Sequence, residues 1–164
     1  MKSNLTKLKK QWLEWVMLWS KIKFVNKNGM GSCCTCNRKW HWTTMCGWHF
    51  IPQAKWNSCK FELDNINLQC NTCNWKANQW EQYKHWIYID NTYWVGRAEK
   101  LYEQSRNLKK WKYEEIEIEM IYVANLISKW YCMQTKEQRL IFINYLNKPN
   151  RKALCKELVE YLTY

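Results

Sequence analysis

The sequence predicts an α+β fold: a small cysteine-rich core flanked by helices at both the N-terminal and C-terminal ends. Three observations point there. Residues 1–27 carry an apolar stripe at helical spacing, two C-x2-C pairs sit in a middle stretch of short period, and helical spacing returns from residue 111 onward. At 164 residues the chain suits one compact domain and is too short for two cores of ~100 to 200 residues each.

The first element is a basic amphipathic helix. Its apolar positions, Leu5, Leu8, Trp12, Trp15, Val16, Trp19 and Ile22, fall in steps of three and four, while its charges are seven lysines against the single acid Glu14. Such a helix can lie along phosphates, or close a core with its lysines merely solvated. Asn26 to Ser32 holds two of the four glycines and ends the helix. From Ser32 to about Trp75 the text is cysteine-rich and broken by Pro52, which suits small strands and knuckles. Two short helices are expected up to Ser105, with a break near Asn91 to Gly96.

Ile116, Met120, Val123, Ile127 and Trp130 mark a further helix over 111–131, with Glu114 and Glu115 early, where the helix dipole favours acids. Its opening, Glu115 to Glu119, also alternates with period two and so reads equally as strand. Pro149 precedes a last helix whose Leu154, Leu158 and Leu162 share a face. The chain thus divides into a basic helix (1–27), a cysteine-rich core (28–108) and a helical extension (109–164).

Charge and cysteine usage restrict the function classes. Lys plus Arg number 26 against 14 acids, a net +12, so a polyanionic partner is the first expectation. No apolar run reaches the ~18 to 20 residues of a membrane span, and no cleavable leader is evident, so a cytoplasmic protein with no membrane partner is expected. Nine cysteines cannot all pair within one chain, which favours metal ligation over disulfides.

Cys33-Cys34-Thr35-Cys36 and Cys70-Asn71-Thr72-Cys73 supply the two pairs. A C-x2-C turn lets two sulfurs meet one ion at ~2.3 Å, and four thiolates close the sphere of a structural zinc. Cys33, Cys36, Cys70 and Cys73 are the expected ligands, with Cys34 an alternative to Cys33. A redox dithiol is the competing chemistry. Cys46, Cys59, Cys132 and Cys155 read as small hydrophobes.

Between the knuckles stand Cys46-Gly47-Trp48-His49-Phe50-Ile51-Pro52 and Phe61 to Cys70, followed by Cys73-Asn74. This order resembles an HNH (ββα-metal) nuclease, and more specifically the NinG/Rap family of phage recombination endonucleases, over roughly residues 20–112. The resemblance implies a zinc-stabilised ββα-metal core and a metal-dependent DNA endonuclease of phage-type recombination, acting on branched, Holliday-junction-like DNA. It implies His49 as general base, Asn65 as the residue that orients the imidazole, and Asn74 as a contributor to a catalytic Mg²⁺ or Mn²⁺.

The sequence departs from the pattern where HNH proteins place an Asp before the His: here stand Trp48 and Cys46. Asp64 is the nearby acid that can serve as the metal's carboxylate. Lys7, Lys9, Lys10, Arg97, Arg106, Lys109 and Lys110 are available for phosphates; sensing a junction requires a homodimer or a long basic face. From another class, the alternative is a zinc-stabilised nucleic-acid binding module whose nuclease centre has decayed. A redox or ribosome-associated zinc protein, a third reading, requires no approach of His49 to Asn74. His41 and His85 lack such context and read as structural or surface residues.

The chain has 13 Trp beside 4 Gly. Trp48, Trp75, Trp86 and Trp94 stand where the family pattern has glycine, as expected if the source genome reads UGA as glycine. Recoded positions should then show as exposed or awkward indoles at turns. The alternative is a Trp-rich protein that uses indoles for packing or base stacking.

Overall fold

The computed structural model describes residues 2–52, 58–75 and 79–163, with the backbone alone at 2, 3, 79–81, 152–154 and 163. Helix α1 spans Lys2–Ile22; of the expected stripe it buries Trp12, Trp15, Val16 and Ile22 and partly buries Leu5, Leu8 and Trp19, and it also buries Leu18. It stops because the Asn26 side-chain oxygen accepts the N–H groups of Asn28 and Met30, each at 3.0 Å, and Gly29 follows with φ of 75°.

Strands β1 (Met30–Ser32) and β2 (Lys39–His41) form an antiparallel hairpin around the first cysteine pair. A second antiparallel pair, β3 (Met45–His49) and β4 (Ile66–Cys70), runs in register from Met45 opposite Cys70 to His49 opposite Ile66. The short helix α2 (Asn71–Trp75) leaves directly from β4. Helices α3 (Gln79–Thr92) and α4 (Arg97–Ser105) follow, broken where expected, with Gly96 at φ 88°.

The strand-like opening of the next element is helical: α5 spans Tyr113–Cys132, and the Glu115 carboxylate accepts the Lys112 N–H at 2.9 Å. Helix α6 (Lys136–Leu146) has no counterpart in the sequence reading. Its run Leu140-Ile141-Phe142-Ile143 lacks helical period, although Thr135 caps it by accepting the Gln138 N–H at 3.3 Å. Helix α7 spans Pro149–Thr163, with proline in its first turn, where a missing N–H costs nothing. Leu158 is buried as expected and Leu162 partly so; the Leu154 side chain lies outside the described residues.

One core joins the three sequence segments. Trp12 and Val16 of α1, Ile66 of β4, Ile116 and Ile127 of α5, Phe142 of α6 and Leu158 of α7 belong to a single buried cluster. Trp12 stacks on Phe61 at 3.7 Å, and Trp42 meets Tyr145 edge-on at 4.6 Å. Many indoles therefore pack. Among the described non-glycine residues only Asn37 has positive φ, so none of the four questioned tryptophans occupies a glycine-only backbone. Of these four, Trp75 (89 % exposed) and Trp94 (47 %) have little packing, as does Trp40 (45 %), which was not questioned. Trp86 meets Phe50 edge-on at 5.8 Å, and Trp48 is half-buried.

Candidate functional site

Both cysteine pairs sit where a strand hands over to a turn or helix. The Cys34 N–H donates to the Leu68 carbonyl at 2.8 Å, which splices the first knuckle onto β4 beside the second. The sulfurs of Cys33, Cys36, Cys70 and Cys73 consequently lie within 4.8 Å of one another, with Cys36 and Cys70 at 3.9 Å. Zinc–sulfur bonds of ~2.3 Å in a tetrahedron place sulfurs ~3.8 Å apart, so these four residues can hold an ion such as zinc.

The electrostatics favour thiolate at Cys33. A hydrogen bond from the Cys34 thiol, joined by backbone N–H groups of Cys70, Cys36 and Thr35, holds Cys33 down to about 4 against the opposing effect of burial. Burial pushes Cys36 and Cys73 up. Cys34 thus stands outside the cluster as a donor to it, and the choice between Cys33 and Cys34 falls to Cys33. Cys46 and Cys59 also stand outside, their thiols donating to Asn71 Oδ1 and the Leu101 carbonyl, each at 3.2 Å.

On the neighbouring face, a cleft of about 510 Å³ is lined by Met17, Cys46, Gly47, Trp48, His49, Pro52 and Asn74. His49 and Asn74, far apart in sequence, share it because α2 turns back from β4 beside β3. The His49 Nε2 lies 3.0 Å from the Lys60 carbonyl. A carbonyl only accepts, so Nε2 carries the proton and Nδ1 is the basic nitrogen. Burial lowers the His49 pKa to about 4, which keeps the ring neutral at pH 7. The Asn74 Oδ1 is buried, with no hydrogen-bond partner among the described residues.

Asn65 is the tether. Its side chain is fully buried; Oδ1 accepts the Ile51 N–H at 2.7 Å, and Nδ2 donates to the carbonyls of Cys59 at 2.8 Å and Ile51 at 3.3 Å. One carboxamide thus clamps the chain leaving β3 to the chain returning toward β4, which also carries the Lys60 carbonyl that holds His49. Gly47 has room for no side chain: a Cβ there would stand 2.5 Å from Ser20 Oγ and 3.3 Å from the Met17 carbonyl, so α1 crosses β3 at backbone contact.

No family model, curated protein or solved structure matches the chain.

The geometry of the site corrects two expectations. Asp64 does not line the His49 cleft: its Oδ2 accepts Arg97 Nε at 2.8 Å, and it faces a separate cavity with Trp12, Phe61 and Trp111. Arg97 in turn is a buried structural cation, also 3.5 Å from Glu62, and is not displayed for DNA. Two carboxylates hold this guanidinium, and the pairing consumes both candidates at once.

The remaining cations are accessible. Lys7 and Lys10 are exposed and Lys9 partly buried on α1, while Arg106, Lys109 and Lys110 are exposed between α4 and α5. None of these lines the cleft. His41 caps a 3₁₀ turn through Nδ1, outside the cleft lining. Among the described residues no helix is long and apolar enough to cross a membrane.

A buried polar network beneath β4 was not legible in the sequence. Lys23 Nζ donates to the carbonyls of Leu63 and Ile66 at 2.6 and 2.9 Å and lies 2.5 Å from the Tyr93 hydroxyl. The Tyr93 hydroxyl donates to Asn67 Oδ1 at 2.9 Å, and Asn67 Nδ2 reaches His85 Nε2 at 3.2 Å. Burial lowers Lys23 to about 7 and His85 to about 3. A lysine in a lysine-rich segment reads as solvated, and only the packing of α1 against β4 shows otherwise.

Proposed function

We propose that the chain is a metal-dependent DNA endonuclease of the ββα-metal (HNH-like) type, acting as the NinG/Rap resemblance implies on branched DNA in phage-type recombination. The observation that carries the reading is the convergence of His49 and Asn74 on one cleft, over an antiparallel pair and short helix braced by four clustered cysteines. The resemblance implies that convergence, and a redox or ribosome-associated zinc protein does not.

In this mechanism His49 Nδ1 takes the proton from the water that attacks phosphorus. The Lys60 carbonyl holds Nε2–H and so fixes the tautomer, and Asn65 fixes the Lys60 segment. Asn74 Oδ1, a buried oxygen without a partner among the described residues, fits as one ligand of Mg²⁺ or Mn²⁺. When bound, that ion would supply charge stabilisation on the phosphate and the leaving oxygen. The cysteine cluster contributes rigidity, as a closed tetrathiolate offers no open coordination position.

One observation favours a second reading. The described lining of the cleft contains no carboxylate, and Asp64 is committed to Arg97. A zinc-stabilised nucleic-acid binding module with a decayed centre accommodates this.

A single experiment separates the two. Purified protein is incubated with Mg²⁺ or Mn²⁺ and either a four-way junction or linear duplex, beside His49→Ala. Cleavage that disappears in the variant while binding persists supports the enzyme. Absence of metal-dependent cleavage on every DNA form overturns it in favour of the binding module.

A further inference from the structure

The helices beyond the resemblance close a second cavity that shares a wall with the cleft. It measures about 430 Å³, and Met17, Cys46 and Gly47 line both spaces. Lys21 from α1, Tyr145 from α6 and Arg151 from the first turn of α7 complete it, with Glu14 the one acid among its lining residues.

Among the described residues the cations here make no close ion pair, and Glu14 in the wall acts on Lys21 only from beyond 4.0 Å. Lys21 is only 7 % exposed, and its ammonium donates to the Tyr145 hydroxyl at 2.8 Å. It also packs on aromatic faces, 4.7 Å from the Tyr145 centroid and 5.6 Å from that of Trp42, with the like charges of Arg151 and Lys148 nearby. The Arg151 guanidinium lies 4.1 Å and the Lys148 ammonium 5.5 Å from the same Tyr145 centroid. Among the described residues neither Lys21 nor Arg151 pairs with a carboxylate within 4.0 Å.

Desolvating an ammonium costs far more than an aromatic ring returns, so an unneutralised buried lysine points to an anion. Arg151 supplies the fork that suits phosphate oxygens. The amide end of α7, 15 residues long, adds field of the same sign.

We propose that this cavity is a phosphate subsite, in which Lys21 and Arg151 hold a nucleic-acid backbone phosphate beside the one in the His49 cleft. Choosing nucleic acid over a free phosphate rests on the function proposed above. Adjacency agrees with that source: Met17, Cys46 and Gly47 line both spaces, so an anion in the cavity lies next to the His49 cleft, as a neighbouring phosphate of one strand would.

The test measures binding of a fluorescein-labelled 20-mer duplex by anisotropy, across a KCl series, with the zinc-loaded full chain and no added Mg²⁺. Arg151→Gln, at a partly exposed position, is expected to weaken binding several-fold and to reduce the slope of log K against log[salt] by about 1. Lys21→Met should do the same; if it fails to fold by circular dichroism, Arg151→Gln decides the matter. An unchanged slope in Arg151→Gln overturns the subsite, as does an equal loss in the exposed Lys129→Gln. Thermal stabilisation by inorganic phosphate that depends on Arg151, with DNA binding unaffected, assigns the cavity to free phosphate and overturns the backbone assignment. Arg151-dependent binding by a chain that cuts nothing refutes the endonuclease reading and leaves the subsite standing; cutting with an unchanged slope refutes the subsite alone.

Discussion

Replacing Asn65 by alanine removes the one side chain that ties the exit of β3 to the approach of β4. The structure sets the cost. Truncation strands the Ile51 N–H and the Cys59 carbonyl, bonded at 2.7 and 2.8 Å, within fully buried surroundings, and loses the weaker bond to the Ile51 carbonyl at 3.3 Å. A buried polar group left unsatisfied costs about 1 to 3 kcal/mol, so two of them with the vacated space come to roughly 3 to 5 kcal/mol. For a chain of this size the melting temperature should fall by roughly 10 °C or more.

Urea unfolding followed by far-UV circular dichroism measures the loss, as a lowered midpoint at unchanged m-value. Asn65→Asp should give no rescue. It keeps an acceptor for the Ile51 N–H but turns an oxygen toward the Cys59 carbonyl, where a donor is needed. A loss below about 1 kcal/mol for Asn65→Ala would refute the reasoning, since the segment would then be held by something other than this carboxamide.

Other outcomes follow from the same geometry. Cys70→Ser should lower bound zinc from one ion per chain to well below one by elemental analysis, and destabilise the fold, whereas Cys34→Ser and Cys132→Ser should leave the stoichiometry intact. Folded His49 and His85 have pKa values lowered by burial to about 4 and about 3, so the unfolded chain binds more protons just below the ordinary histidine value of 6.5. Stability is therefore full above pH 6.5 and falls with acidification by up to ~1.4 kcal/mol per pH unit for each ring, levelling off below the folded values. Urea midpoints from pH 6.5 to 5 check this; a flat profile contradicts it, and His85→Gln should make the fall shallower. Arg97→Gln leaves Asp64 and Glu62 without their cation and should cost about 1 to 3 kcal/mol, discounted because both carboxylates are partly exposed. Arg97→Gln should not change the salt slope of DNA binding, in contrast to Arg151→Gln.

Elements with strong local signals were legible before any tertiary information. The stripe from Leu5 to Ile22 specifies a helix because its spacing matches the helical period, and the break near Gly96 follows from a residue that tolerates φ of 88°. The two C-x2-C pairs announced a four-cysteine cluster able to hold a metal ion because a short turn aims two sulfurs at one point. Helix α6 escaped notice because its contiguous apolar run has no 3.6-residue period, and its Thr135 cap is a single weak signal. The pairing of Asp64 with Arg97 is invisible in the sequence because an ion pair between residues 33 apart leaves no trace in local pattern. The tryptophans divide for a similar reason: whether an indole is packed, as Trp86 against Phe50, or bare, as Trp75, depends on neighbours brought from elsewhere.

By itself the sequence determined the chemistry on offer: the thiol set, an imidazole and two carboxamides, and a large excess of positive charge. Tertiary structure alone decided which groups meet. It chose Cys33 over Cys34, brought Asn74 to His49, withdrew Asp64 and Arg97 into each other, buried Lys21 on α1 and tied up the Lys23 ammonium just past its end. The physical reason is that the character of a polar group depends on its water and its partners, and long-range packing sets both.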